Sequence, residues 1–298
     1  MLIALTNTCR MGCPHCFQCA TPEPQHMTWE HIERSRDFAR WAGAQVVLLS
    51  GGELTEHPKW TLAVDLFASS GFLRVFLPTN GMWMGTPKED EMFALLRTHQ
   101  NLFLQVTSVP GLYPLHKQTL EGVSRFKLRL RDAGIKRRLS FETKIESKIE
   151  SMIELGRACD HEPSRKAAQE DPRKTMSCLS SAVVSAQVMF KDAIKVMEPR
   201  GVVCHPLIDW QGNLHWSESW LCPSFASIDE EFEEIGRKAH EWRPCGKCAG
   251  FRKFIESTDE KYALGKIILG FDKNGIDTRY LTTPEARETC AKIMKGEA

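Results

Sequence analysis

Over its first 155 residues the chain alternates short apolar or β-branched runs with amphipathic stretches, and this alternation narrows its possible folds most. Expected strands lie at 2–5, 45–49, 73–77, 102–107, 138–142 and 152–155, with helical patterns between the first five. Thr28 is placed to cap a helix running to about Ala42, with Gly43 to end it. A second helix covers 60–69 ahead of Gly71. A third covers 91–98 and carries Met92, Phe93, Leu95 and Leu96. A fourth covers 118–133 and ends at Gly134. Short strand-to-helix connections predict parallel βα units. Six units predict an α/β fold built as an open, partial (βα)6 TIM-like barrel, whose function would gather in the loops after the strands. Those loops are 6–18, 50–55 and 78–82.

Beyond the alternating region the pattern changes. Residues 159–175 are polar and contain Pro163 and Pro172, as in a linker. A helix is expected at 183–197, a hairpin at 202–216 turning at Gln211-Gly212-Asn213, and a helix at 228–242. The expected domains are therefore a barrel at 1–158, a linker and helix at 159–200, and a small Cys-rich α+β domain at 201–298.

Lys and Arg number 39 against 38 Asp and Glu, a formal net charge of +1. That balance gives no electrostatic case for nucleic acid or an anionic membrane surface. No apolar run reaches the roughly 20 residues that span a bilayer, and residues 1–10 do not read as a secretory signal. The expectation is a cytoplasmic protein. Eleven cysteines are many for such a chain, and clustered cysteines in a reducing compartment point to metal or catalysis.

Three of them form the first constellation, Cys9, Cys13 and Cys16, spaced Cys-x3-Cys-x2-Cys immediately after the first strand. A 4Fe–4S cluster usually takes four thiolates. Three leave one iron without a protein ligand, and an open coordination position is what a catalytic metal needs. Zinc held by a set drawn from Cys9, Cys13, Cys16 and Cys19 is the alternative. The second constellation is Gly51-Gly52-Glu53 at the end of the second strand. Two glycines let the backbone approach a ligand closely, and the carboxylate beyond them can pair with an ammonium group. A tight turn is the plainer reading of the glycines taken alone.

Together these motifs resemble the signature of the radical S-adenosylmethionine (SAM) superfamily. The resemblance implies that Cys9, Cys13 and Cys16 hold a catalytic 4Fe–4S cluster and that SAM occupies the open iron. It implies that Gly51, Gly52 and Glu53 bind the methionyl amino group, and that Phe17, Thr79, Asn80 and Ser108 lie near SAM. Ordinary turn and strand-end chemistry is the alternative for Thr79, Asn80 and Ser108. A reductant such as flavodoxin or ferredoxin is implied as a partner.

A third constellation, Cys204, Cys222, Cys245 and Cys248, brackets the expected hairpin and ends in Cys-x2-Cys. It resembles the SPASM and shortened "twitch" domains of the superfamily, which hold auxiliary clusters. The segment from Gly212 to Cys222 is longer than the family spacing, and Phe251-Arg252-Lys253-Phe254 stands where further cysteines continue in a full SPASM domain. One auxiliary 4Fe–4S cluster is therefore expected, with a four-cysteine zinc site as the alternative. By analogy the reaction would be an oxidative modification, dehydrogenation or cross-link, of a peptide or protein side chain. A small-molecule dehydrogenase acting on a sugar, aminocyclitol or nucleotide is the second reading, with Trp210, Trp216, Trp220 and Trp242 as possible pocket walls. A zinc-stabilised protein without SAM chemistry is the third.

Overall fold

The computed structural model describes residues 1–14, 16, 20–44, 46–108, 115–135, 139–143, 207–215 and 224–241. Apolar β-branched runs become strands where expected: β1 (Leu2–Thr6), β2 (Val46–Gly51), β3 (Arg74–Thr79), β4 (Leu102–Ser108) and β5 (Leu139–Thr143). All neighbours among these five pair in parallel, in the order β5-β4-β3-β2-β1. Their carboxyl ends therefore share one edge of the sheet, and the loops that carry the motifs leave from it. The strand expected at 152–155 and the helix at 183–197 lie outside the described residues.

Helices α1 (Trp29–Trp41), α2 (Trp60–Ala68), α3 (Lys88–Thr98) and α4 (His116–Asp132) fill the crossovers. Thr28 caps α1 by accepting from His31 N–H. One face of the sheet, including Val75, Leu77, Leu102, Leu104 and Val106, joins Phe67, Met92, Leu96 and Phe126 from the helices in the main core. On the opposite face of β3 and β4, Phe76, Pro78, Gln105 and Thr107 are only half-buried. The alternation seen in the sequence is thus a helix-facing side and a more open side.

Helix α3 starts three residues before the expected position. Pro87 sits at its N-cap, and Glu89, Asp90 and Glu91 occupy the first turn. There they complement the helix dipole, so an acidic stretch that reads as loop is helical.

The predicted hairpin turn at 211–213 forms between β6 (Leu207–Ile208) and β7 (Asn213–His215). The hairpin lies on the outer edge of β1, with β6 parallel to it, and β8 (Ala226–Ser227) follows antiparallel to β7. The last described helix, α5 (Phe232–Glu241), starts four residues later than expected. Residues 226–227 are claimed by β8, and Ile228 N–H is tied to the Gly212 carbonyl at 2.7 Å.

Asp209 makes the turn. One carboxylate oxygen accepts from the Gln211 and Asn213 backbone N–H groups, and the other takes Asn213 Nδ2 and His215 Nε2. Burial pushes this carboxyl up, but His215 and the Asn213 amides outweigh it and hold it below its usual value. A lowered folded pKa means that the stabilisation is present above the ordinary carboxyl value and is lost as pH falls through the lowered one. Asp209→Ala is therefore expected to lower stability by about 1–3 kcal/mol near pH 7. Urea denaturation should show the gap closing as pH falls below the ordinary carboxyl range.

Candidate active site

The cysteine loop is closed at its base by its own backbone. Asn7 N–H donates to Gln25, Cys9 N–H to Thr21, Thr21 N–H to Asn7 and Met27 N–H to Leu5. Two threonines lock the same base. Thr8 Oγ1 donates to the Glu23 carbonyl and accepts from Gln25 N–H, while Thr6 Oγ1 donates to the Gln25 carbonyl. The ends of the loop are thus pinned side by side, as in a compact Ω-type loop.

Within it, Cys9 and Cys13 are buried and Cys16 is half-buried, and none is in a disulfide. They pack in one apolar cluster with Met11, Ala20, Met82 and Leu115. Desolvation is the main cause that pushes the Cys9 thiol up to about 11, with Glu53 and Cys16 adding to it. Metal binding at such a thiol must release its proton. Among the described residues no group of three His, Cys, Asp or Glu converges to hold a single ion. A cubane cluster asks for something else, since each thiolate binds a different iron. Three thiols outside any disulfide, on one short loop in apolar surroundings, fit that donor set.

On the side a Cβ would occupy, Gly51 and Gly52 meet the backbone of the cysteine loop. A Cβ on Gly51 would stand 2.1 Å from the Thr6 carbonyl oxygen, and one on Gly52 2.5 Å from that of Thr8. Gly52 N–H donates to the Thr6 carbonyl and Glu53 N–H to that of Thr8. The paired glycines therefore seat the end of β2 against the root of the cysteine loop.

Glu53 is buried, 2% exposed. Its carboxylate accepts from Thr79 Oγ1 at 2.8 and 2.9 Å, Asn80 N–H at 2.9 Å, and Thr55 Oγ1 and N–H at 3.1 and 3.3 Å. Burial pushes this carboxyl up, against the pull of those donors. Thr79 also accepts from Gly81 N–H and Trp83 Nε1. Asn80 reaches Cys9 Sγ through Nδ2 at 3.5 Å. The structure thus brings the cysteines, Glu53, Thr79 and Asn80 together. Ser108, fully buried, ends β4 at the same edge.

Sequence reasoning missed the support around this centre. His57 Nδ1 accepts from Lys59 N–H, so Nε2 carries the proton it donates to the Met27 carbonyl. Burial lowers the pKa of His57 and, edge-on beside it, His26. A lone histidine beyond a turn carries no sequence signal of this role. Nearby, a cavity of about 430 Å³ opens between the loop exit and the hairpin turn, with Gln25, His26, His31 and Trp210 in its wall. Phe17, Cys19, Cys204, Cys222, Cys245 and Cys248 lie outside the described residues, as do Trp216, Trp220 and Trp242.

The Radical SAM superfamily model matches residues 3–142. A crystal structure of BtrN in complex with AdoMet and 2-DOIA is similar at 15% identity and TM-score 0.50, covering 85% of this chain and 84% of that one. Streptococcus suis SuiB bound to precursor peptide SuiA gives 10% identity and TM-score 0.49, over 88% of this chain and 68% of that one. Native anSMEcpe with bound AdoMet and Cp18Cys peptide gives 13% and 0.44, over 84% and 86%. The likeness to BtrN is one of fold, and the parallel sheet with its helices is a partial TIM-like barrel. No curated protein sequence matches the chain.

Proposed function

Because residues 3–142 belong to the radical SAM superfamily, we propose that this chain cleaves SAM reductively and removes a hydrogen atom from a peptide or protein side chain. The observation that carries the reading is the three-thiol loop, packed against Asn80 at the carboxyl edge of the parallel sheet. In this reading Cys9, Cys13 and Cys16 hold a 4Fe–4S cluster, which when bound supplies the electron that opens the sulfonium bond of SAM. The chain's own residues do the rest. The loop base, sealed by Thr6, Thr8 and Gln25, holds the thiols in place. Met11, Ala20, Met82 and Leu115 keep water from them. Glu53 joins the β2 loop to the β3 loop, so both approach SAM as one unit.

The oxidative outcome rests on Cys204, Cys222, Cys245 and Cys248 as ligands of an auxiliary cluster that accepts the substrate's second electron. Cys245→Ala is then expected to keep SAM cleavage and lose substrate oxidation. Full turnover in that variant would leave the C-terminal cysteines a structural role. A small-molecule substrate is the second reading. It is favoured by the cavity beside His26 and Trp210, whose volume lies within the range of ligand sites.

The test is iron and acid-labile sulfide per chain after anaerobic purification, in wild type and in the Cys9/Cys13/Cys16→Ala triple variant. About eight irons falling to about four support a catalytic and an auxiliary cluster. About four falling to none leave the catalytic one alone. Equal iron in both proteins removes the N-terminal cysteines from the role, and zinc in place of iron turns the protein towards a structural metal site.

A further inference from the structure

Asn80 ends in contact with the first cysteine for reasons that can be traced atom by atom. It follows directly on β3 and is 9% exposed. Its backbone N–H donates to Glu53 Oε2, which pins the main chain. Its side-chain Oδ1 accepts from Met82 N–H at 2.9 Å, which fixes the orientation of the amide. The amide nitrogen is thereby the atom that faces Cys9, and Nδ2 donates to Sγ at 3.5 Å. Cys9 is itself 8% exposed, so water does little to screen this dipole.

We infer that Asn80 raises the reduction potential of the cluster held by Cys9, Cys13 and Cys16, through its N–H bond to the Cys9 sulfur. The inference rests on the function proposed above and assigns Asn80 a role other than contact with SAM. Reduction places extra negative charge on the cluster and its sulfur ligands. A fixed N–H donor stabilises the more electron-rich state more, and so eases the entry of the electron. Glu53 works in the opposite sense, because its carboxylate disfavours negative charge on Cys9. The Met11 backbone N–H opposes it at the same sulfur, and Asn80 Nδ2 adds a side-chain donor there, so Asn80 is a positioning residue that acts through Cys9.

Two variants separate this role from folding. Asn80→Ser leaves a hydroxyl that can accept from the N–H two residues on but is too short to reach Cys9. Asn80→Asp keeps the acceptor for Met82 N–H and replaces the donor with an oxygen. The measurement is an EPR-monitored redox titration of the reconstituted full chain without SAM, with dithionite as electron donor. The signal followed is the one missing from the Cys9/Cys13/Cys16→Ala protein, and iron is assayed in every sample. At a fixed potential the reduced-to-oxidised ratio is expected to fall about threefold in the Ser variant and about tenfold in the Asp variant. The tenfold change is a shift of about 59 mV downwards for a one-electron couple. Equal potentials in three iron-loaded proteins would overturn the inference while leaving the proposed function intact. Iron-free wild type would overturn the reading beneath it, and this inference with it.

Discussion

Gly51→Ala is expected to destabilise the protein by more than about 3 kcal/mol, or to prevent folding. Gly51 has φ 141°, a conformation side chains avoid, and an added Cβ would meet the Thr6 carbonyl oxygen at 2.1 Å. That oxygen is backbone, bonded to Gly52 N–H, and cannot swing aside. The strand end would have to separate from the root of the cysteine loop, so iron binding should fail with stability. Gly134→Ala is the control. Gly134 also has positive φ, at 73°, but nothing lies within 4 Å of its added Cβ. Only the left-handed penalty applies there, about 1–2 kcal/mol. Urea denaturation of both variants, with iron content, checks the contrast. Equal, small losses would mean that the close approach of the two loops is not a structural requirement.

Glu53→Ala is expected to lower stability by about 3–5 kcal/mol in the absence of any ligand. It strands four buried donors, Thr55 N–H and Oγ1, Thr79 Oγ1 and Asn80 N–H, at about 1–3 kcal/mol for each donor left unsatisfied. A carboxylate kept only to meet the ammonium of SAM predicts the opposite. Its removal would relieve a buried charge, and the ligand-free protein would be as stable or more so. Thermal unfolding of ligand-free wild type and variant separates the two accounts. Loss of SAM affinity without loss of stability would return Glu53 to direct ligand contact.

These two residues also show where sequence reading ends. The strands and the first four helices were legible because apolar spacing and the glycines after helix ends are local signals. The three cysteines were legible for the same reason, since one loop carries them all. Partners distant in sequence were not. Gly51 and Gly52 read as room for a ligand, while the close approach their Cβ side makes, to Thr6 and Thr8 about 45 residues earlier, arises because β1 and β2 are neighbours in the sheet. Glu53 read as half of an ion pair, and besides nearby Thr55 its carboxylate meets Thr79 and Asn80 at the end of β3, 26 and 27 residues on. The hairpin turn was visible in Gln211-Gly212-Asn213, yet its pairing with the outer edge of β1 joins residues about 205 apart. Periodicity holds no information about such a contact.

In the proposed function the cysteine loop serves the reductive cleavage of SAM. The most direct test is the amount of 5′-deoxyadenosine formed from SAM under anaerobic reduction with dithionite, in wild type and in Cys13→Ala. Wild type is expected to form it with time, and the variant none above background. Equal formation by the two proteins, or none by an iron-loaded wild type, would contradict the proposed function.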